Sequence, residues 1–135
     1  MPTLLEIVAP DRLLLSQPVD MAVIPASEGE MGVLPGHSPM IVLLRGGTIT
    51  LHEGGRPTAQ LYVSGGFAEI TPERCTVLAD EATPVAEVSR ATGEERLRQA
   101  QADYAAVDKQ NVPAIDAVQA RVQSAQAMIA AAGAP

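Results

Sequence analysis

Aromatic side chains are nearly missing from this chain of 135 residues, which has no Trp and whose only rings are Tyr62, Phe67 and Tyr104. Any core must be built from Val, Leu, Ile, Met and Ala, and little is available to stack a base or a sugar. Basic residues are also scarce, 9 Lys and Arg against 16 Asp and Glu, for a net charge of −7 with the signs interspersed. Displacing counterions from a phosphate backbone needs clustered Lys and Arg, so nucleic acid is excluded as a partner. A lone cysteine, Cys75, rules out an internal disulfide and fits a reducing compartment. Opening a strand, it reads as a small buried hydrophobe. With His37 and His52 it completes the soft ligands of the chain. These three fall in separate predicted elements, so no metal site is expected. No apolar run approaches the ~20 residues that cross a bilayer. The first ten residues lack the basic start and apolar run of a signal peptide. The expectation is a cytoplasmic protein, without direct membrane insertion, that attaches to something else.

Turn chemistry, by contrast, is plentiful, with 11 Gly and 11 Pro. Through residues 1–84, Pro, Gly or Asp interrupts the chain at short intervals, leaving apolar runs of strand length. The candidates are Thr3–Val8, Leu13–Gln17, Val19–Ile24, Met31–Leu34, Met40–Leu44, Thr48–His52, Ala59–Ser64, Phe67–Thr71 and Cys75–Asp80. Pro10-Asp11, Gly46-Gly47, Gly54-Gly55, Gly65-Gly66 and Pro72-Glu73 supply turns between them. Many short strands with no helical pattern between them predict an antiparallel sandwich or barrel. Met40–Leu44 is apolar throughout, which implies burial on both faces or a partner on one.

The chain is organised around Val23–Pro39, V-I-P-A-S-E-G-E-M-G-V-L-P-G-H-S-P. Ser27-Glu28-Gly29-Glu30 reads as a hairpin tip. Pro35-Gly36 favours a type II turn, and Pro39 keeps Ser38 out of helix. The stretch thus carries Glu28 and Glu30 on one tip and His37 on a neighbouring loop. No apolar pocket separates the acidities of the two carboxylates, as general acid–base work would need. Gly65-Gly66 is followed by no helix, so it is no phosphate loop. With no catalytic constellation, this segment reads as a surface for docking.

After Pro84 the period changes from strand to helix. Leu97, Ala100, Tyr104 and Val107 share one helical face. That helix starts near Ser89 or at Thr92, whose spacing to Glu95 suits a capping box, while Gly93 weakens its first turn. Asn111 reads as the cap of a second helix with Pro113 in its first turn. There Ile115, Val118, Val122, Ala125, Ile129 and Ala132 form a heptad stripe. Two helices joined by so short a link pack antiparallel. The fold class is therefore α+β: a sheet domain over 1–84, then a helix hairpin over 85–135. Because the second stripe is built of small residues, the hairpin is expected to sit loosely on the sheet and to be able to leave it.

Three motifs go further. Glu28–Pro39 (E-G-E-M-G-V-L-P-G-H-S-P), Tyr62–Ile70 (Y-V-S-G-G-F-A-E-I) and Thr76–Ala82 (T-V-L-A-D-E-A) follow an opening L-E-I-V-A-P-D-R. Together they resemble the epsilon subunit of bacterial F-type ATP synthases, over the whole chain and in order. The resemblance implies a β-sandwich of about ten strands that docks on the gamma subunit and the rotor ring of the membrane sector. It also implies a helix hairpin able to reach the catalytic headpiece. Glu30, beside Glu28, would meet the polar loops of the ring, and His37 would lie near the junction with gamma. The implied role is a non-catalytic rotor subunit coupling proton passage to ATP synthesis, at the cytoplasmic side of a bacterial membrane.

In some members of that family the helices bind ATP through a late-strand acid and a D-x-x-R-A motif. Here Glu81 and Glu87-Val88-Ser89-Arg90-Ala91 stand in those places, with Glu for Asp. Arginines number two on the first helix, Arg96 and Arg98, but only Arg121 on the second. A triphosphate needs several charge-assisted donors, so only weak regulatory ATP binding at Glu81, Glu87 and Arg90 is expected. A second helix with so little positive charge also implies weak self-inhibition. An ATP-binding sensor is the alternative function; a free-standing hydrolase or metal enzyme lacks a clustered site.

Overall fold

The computed structural model describes residues 2–133. Ten strands come first: β1 (Thr3–Ala9), β2 (Arg12–Val19), β3 (Met21–Ala26), β4 (Gly29–Val33), β5 (Met40–Leu44), β6 (Gly47–Glu53), β7 (Arg56–Val63), β8 (Gly66–Ile70), β9 (Arg74–Ala79) and β10 (Ala82–Pro84). Helices α1 (Arg90–Ala106) and α2 (Val112–Ala132) follow a short 3₁₀ turn at Val85–Glu87. The strands form one path, β10-β7-β6-β3-β5-β8-β9-β1-β2, with β4 attached to β3. At β3 the path turns, because β5 meets β3 only at Ala26↔Leu44 before pairing along its length with β8. The two halves thereby close over a shared core of Leu5, Ile7, Ile24, Ile49, Leu51, Val63, Ile70 and Val77, all essentially inaccessible to solvent. This is the expected sandwich, filled by aliphatic side chains.

Two features depart from the sequence expectation. Strand β10 is only three residues long and holds Pro84, so no alternation marks it; it exists because Ala82, Thr83 and Pro84 lie against Val63, Tyr62 and Leu61 of β7. The pairing of β1 with β9 is parallel, the one exception to the antiparallel pattern among the described residues. Such a contact joins residues some seventy positions apart, and nothing local encodes it.

Helix α1 begins at the earlier of its two possible starts: the Ser89 hydroxyl accepts from the Thr92 amide at 3.1 Å. Its C-terminus is closed by Lys109, whose ammonium donates to the carbonyls of Tyr104 and Val107 and rests 4.4 Å from the Tyr104 ring centre. Cation and open carbonyls are the favourable pairing at that end of a helix. Asn111 caps α2 as expected, its side chain accepting from the Ala114 amide at 3.2 Å. The buried residues of α2 are Val118 and Ala125 of the heptad stripe with Met128 and Ala131 beside it, while Ile115, Val122, Ile129 and Ala132 are half-buried. A Cβ on Gly93 would lie 2.9 Å from Ile129 Cγ1 and 3.3 Å from Met128 Cγ, so the missing side chain lets α1 and α2 approach closely there.

Candidate docking surface and the hairpin seam

The residues of the acidic tip are held by tight pairing in β3 and β4. Ser27 and Glu28 form the turn, while Glu30 already lies in β4 opposite Pro25. Both carboxylates are exposed. They border an open groove of about 530 Å³ whose other wall is Met40, Ile41, Val42 and Leu43 of β5. His37 stands apart from that groove. Its loop is pinned by the Gly36 amide donating to Pro72 O at 2.8 Å, with Gly36 at φ +82° as a type II turn requires. The half-buried imidazole bonds its neighbour's carbonyl, Ser38 O, at 2.8 Å through Nδ1. The structure therefore unites Glu28 and Glu30 with β5 and leaves His37 as a second, adjacent feature.

Met40–Leu44 is core on one face only, through Leu44 and the half-buried Val42. Ile41 is 68% and Leu43 69% exposed, and only Leu44 of the run is buried. The register shows where Leu43 leads. It pairs with Phe67, Phe67 with Leu78, Leu78 with Val8, and Val8 with Leu13. Phe67 (42%), Leu78 (37%) and Leu13 (57%) are all open to solvent. An apolar row thus crosses five strands on the outer face of the β5-β8-β9-β1-β2 half. At about 4.8 Å per strand spacing it runs for roughly 19 Å. The next row outward on the same face is mostly polar: Ile41, Glu69, Thr76, Glu6 and Ser16. Glu6 is tied there to Thr76 at 3.2 Å and to Arg74 at 3.5 Å. A contiguous apolar row with a polar margin is the form of a protein-binding surface. Sequence reasoning missed Val8, Leu13, Phe67 and Leu78. Their signal was present as apolar neighbours, Ile7-Val8 and Val77-Leu78, in strands that alternation would have given one apolar face.

Where the hairpin meets the sheet, an open cleft of about 420 Å³ is lined by Tyr62, Ser64, Glu81, Arg96, Arg121 and Ser124, among others. Arg96 grips Glu81 with two bonds, 2.5 and 2.9 Å. The hydrogen bonds from Arg96 hold the Glu81 carboxylate below the ordinary glutamate value of 4.5. Arg121 bonds Asp103 at 2.8 Å, and this bond, with one from Gln99, lowers the Asp103 pKa. Burial first, and the Glu81 charge second, push the Tyr62 phenol up to about 12, so it stays a donor, to Ser124 O at 3.0 Å. Burial alone raises Cys75 to about 11, which leaves its thiol inert. Of the three residues proposed for nucleotide, only Glu81 lines this cleft. Arg90 pairs with Glu94 at 2.9 Å, and Glu87 is exposed with no side-chain bond among the described residues.

The Glu81–Arg96 pair ties α1 to the sheet, and its sign is fixed. Because the folded pKa is depressed, its contribution is complete above the ordinary value of 4.5 and is lost as pH falls through the folded value. Protection factors of the α1 amides, taken against the intrinsic exchange rate at each pH, are expected to fall on acidification through that window, and Glu81→Gln to flatten the dependence. An unchanged acid profile in that variant would show that the pair does not hold the helix.

Residues 3–85 match the family model described as ATP synthase, Delta/Epsilon chain, beta-sandwich domain. The chain belongs to the ATP synthase delta/epsilon family. Similarity to epsilon chains continues through the hairpin. The "ATP synthase epsilon chain" of Granulibacter bethesdensis is 63% identical over 130 residues, covering 96% of both chains. That of Gluconacetobacter diazotrophicus is 47% identical over 135 residues, covering 100% of this chain and 96% of its own. Among solved structures, a chain of the Euglena gracilis mitochondrial ATP synthase, OSCP/F1/c-ring, matches with a TM-score of 0.76 at 26% identity, covering 96% of this chain and 81% of its own. A chain from the Tetrahymena thermophila mitochondrial ATP synthase central stalk and c-ring matches in fold, with a TM-score of 0.68 at 11% identity. An epsilon chain of this family is a regulatory and structural subunit, not the catalytic one. No helix among the described residues of this epsilon chain is long and apolar enough to cross a membrane.

Proposed function

We propose that this epsilon chain is a rotor subunit of the central stalk, coupling rotation of a proton-driven ring to ATP synthesis at the cytoplasmic face of a bacterial membrane. The observation that carries this is the apolar row Leu43-Phe67-Leu78-Val8-Leu13, which a chain acting alone has no reason to leave in water. In this reading the row lies on the gamma subunit, and the Glu28–Glu30 tip with neighbouring His37 meets the polar loops of the rotor ring. A rigid sandwich suits the task, because transmitted torque must not be absorbed by the carrier. Co-purification of the chain with gamma and the ring tests the assignment, and a chain that assembles with neither overturns it.

The hairpin would extend to the catalytic headpiece with little inhibitory force. On α2 the only charges are Asp116 and Arg121, and Arg121 is already held by Asp103. Deleting residues 88–135 is expected to change ATP hydrolysis by the assembled enzyme only slightly. A gain of roughly tenfold or more, a barrier change of about 1.4 kcal/mol, would contradict this. Weak ATP binding follows from the same economy of charge: the arginines of the cleft are paired with Glu81 and Asp103, and a polyphosphate must displace both carboxylates.

A further inference from the structure

Helix α2 touches the sheet at a point where the sheet shows it bare backbone. Gly46, between β5 and β6, is buried, yet its amide and carbonyl are used by no strand. Gln123 takes both. Its Oε1 accepts from the Gly46 amide at 2.8 Å, and its Nε2 donates to the Gly46 carbonyl at 2.6 Å. A carboxamide carries the donor and acceptor of a peptide group, so this side chain pairs with Gly46 as a neighbouring strand would. The adjacent residue repeats the device: the Ser124 hydroxyl donates to Ser64 O at 2.5 Å, and the Ser124 carbonyl accepts from Tyr62. Apolar closure lies beside this contact, where Met128 and Ala131 pack on the buried ring of Tyr62 with Val85, Val88 and Ala127 around them.

We propose that Gln123 on Gly46, seconded by Ser124 on Ser64, is the latch that fixes the hairpin on the sheet and sets the ease of its release. Its chemistry suits a reversible contact. Each bond made across the seam is one that water can replace when the helix lifts, so detachment leaves no buried polar group unsatisfied. The apolar cost of opening falls on one cluster, Tyr62 with Met128 and Ala131, so the polar contacts at Gly46 and Ser64 tune the balance. The latch also demands glycine at 46. A Cβ there would come within 2.6 Å of Ser124 Cα and 3.0 Å of Gln123 Oε1. Conformation is not the reason, since Gly46 is absent from the positive-φ glycines.

Two substitutions approach the latch from opposite sides, and neither harms its own element. Gln123→Ala places the best helix former within α2. Gly46→Ala puts a residue with fewer unfolded conformations at an ordinary backbone position. Away from the seam, both changes are neutral or favourable. Hydrogen exchange on the full chain is the test. Amides of Val118–Ala125 are expected to exchange roughly 10- to 100-fold faster in either variant, while Ile49, Leu51 and Val63 keep their rates. Unchanged exchange in α2 in either variant overturns the proposal. So does a matching acceleration in the sheet, which would mark general destabilisation. The outcome is independent of the rotor assignment, because it concerns the chain by itself.

Discussion

Phe67→Asp is expected to lower affinity for the gamma subunit at least ~100-fold while leaving the fold intact. Phe67 sits centrally in the apolar row, flanked in register by Leu43 and Leu78, and is the only aromatic residue on that face. Large rings at the centre of an interface carry disproportionate binding energy, and a charge there must also be desolvated without a partner. The side chain is 42% exposed and points away from the core, so the free chain has little to lose. An unaltered thermal midpoint would confirm that. Val112→Asp supplies the control: Val112 is 58% exposed but lies at the start of α2, away from the row. If the Phe67 variant folds and binds gamma like the parent, the row is not the gamma surface.

The second large effect falls on stability. Gly66→Ala is expected to destabilise the sandwich by about 3–5 kcal/mol, among the largest costs a single substitution brings. Two causes add. Gly66 has φ +127°, where an L side chain is strained, and its Cβ would stand 2.1 Å from Leu78 O and 3.0 Å from Ala79 Cα. Both obstacles are backbone of β9, which cannot withdraw without breaking the β8–β9 pairing at Gly66↔Ala79. Gly54→Ala is the mild reference: φ is +64°, in the left-handed region an alanine can adopt, and no atom lies within 4 Å, so a conformational cost of about 1 kcal/mol is expected. Denaturant unfolding of the two variants measures the difference. Equal midpoints would show that the sheet at Gly66 relaxes both its backbone angle and the contact with β9.

Local chemistry made much of the fold legible. Strand ends followed Pro and Gly, Asn111 announced its helix, and the change of period near Pro84 separated sheet from hairpin. The acidic tip was legible for the same reason, since a hairpin turn is a matter of adjacent residues. The apolar row was harder. Leu43, Phe67, Leu78, Val8 and Leu13 lie in five strands, and only register places them side by side. Met40–Leu44 illustrates the limit. A run of apolar residues says that water is to be avoided but not whether the chain's own core or another protein covers it.

By itself, then, the sequence determined the aliphatic core, the order of elements and the polarity of the tip, because each depends on neighbours a few residues apart. Tertiary structure alone decided the parallel β1–β9 contact, the close approach of α2 to Gly93, and the grip of Gln123 on Gly46. These join positions from thirty to almost eighty residues apart. Their partners are chosen by the closing of the chain on itself, which no local preference records.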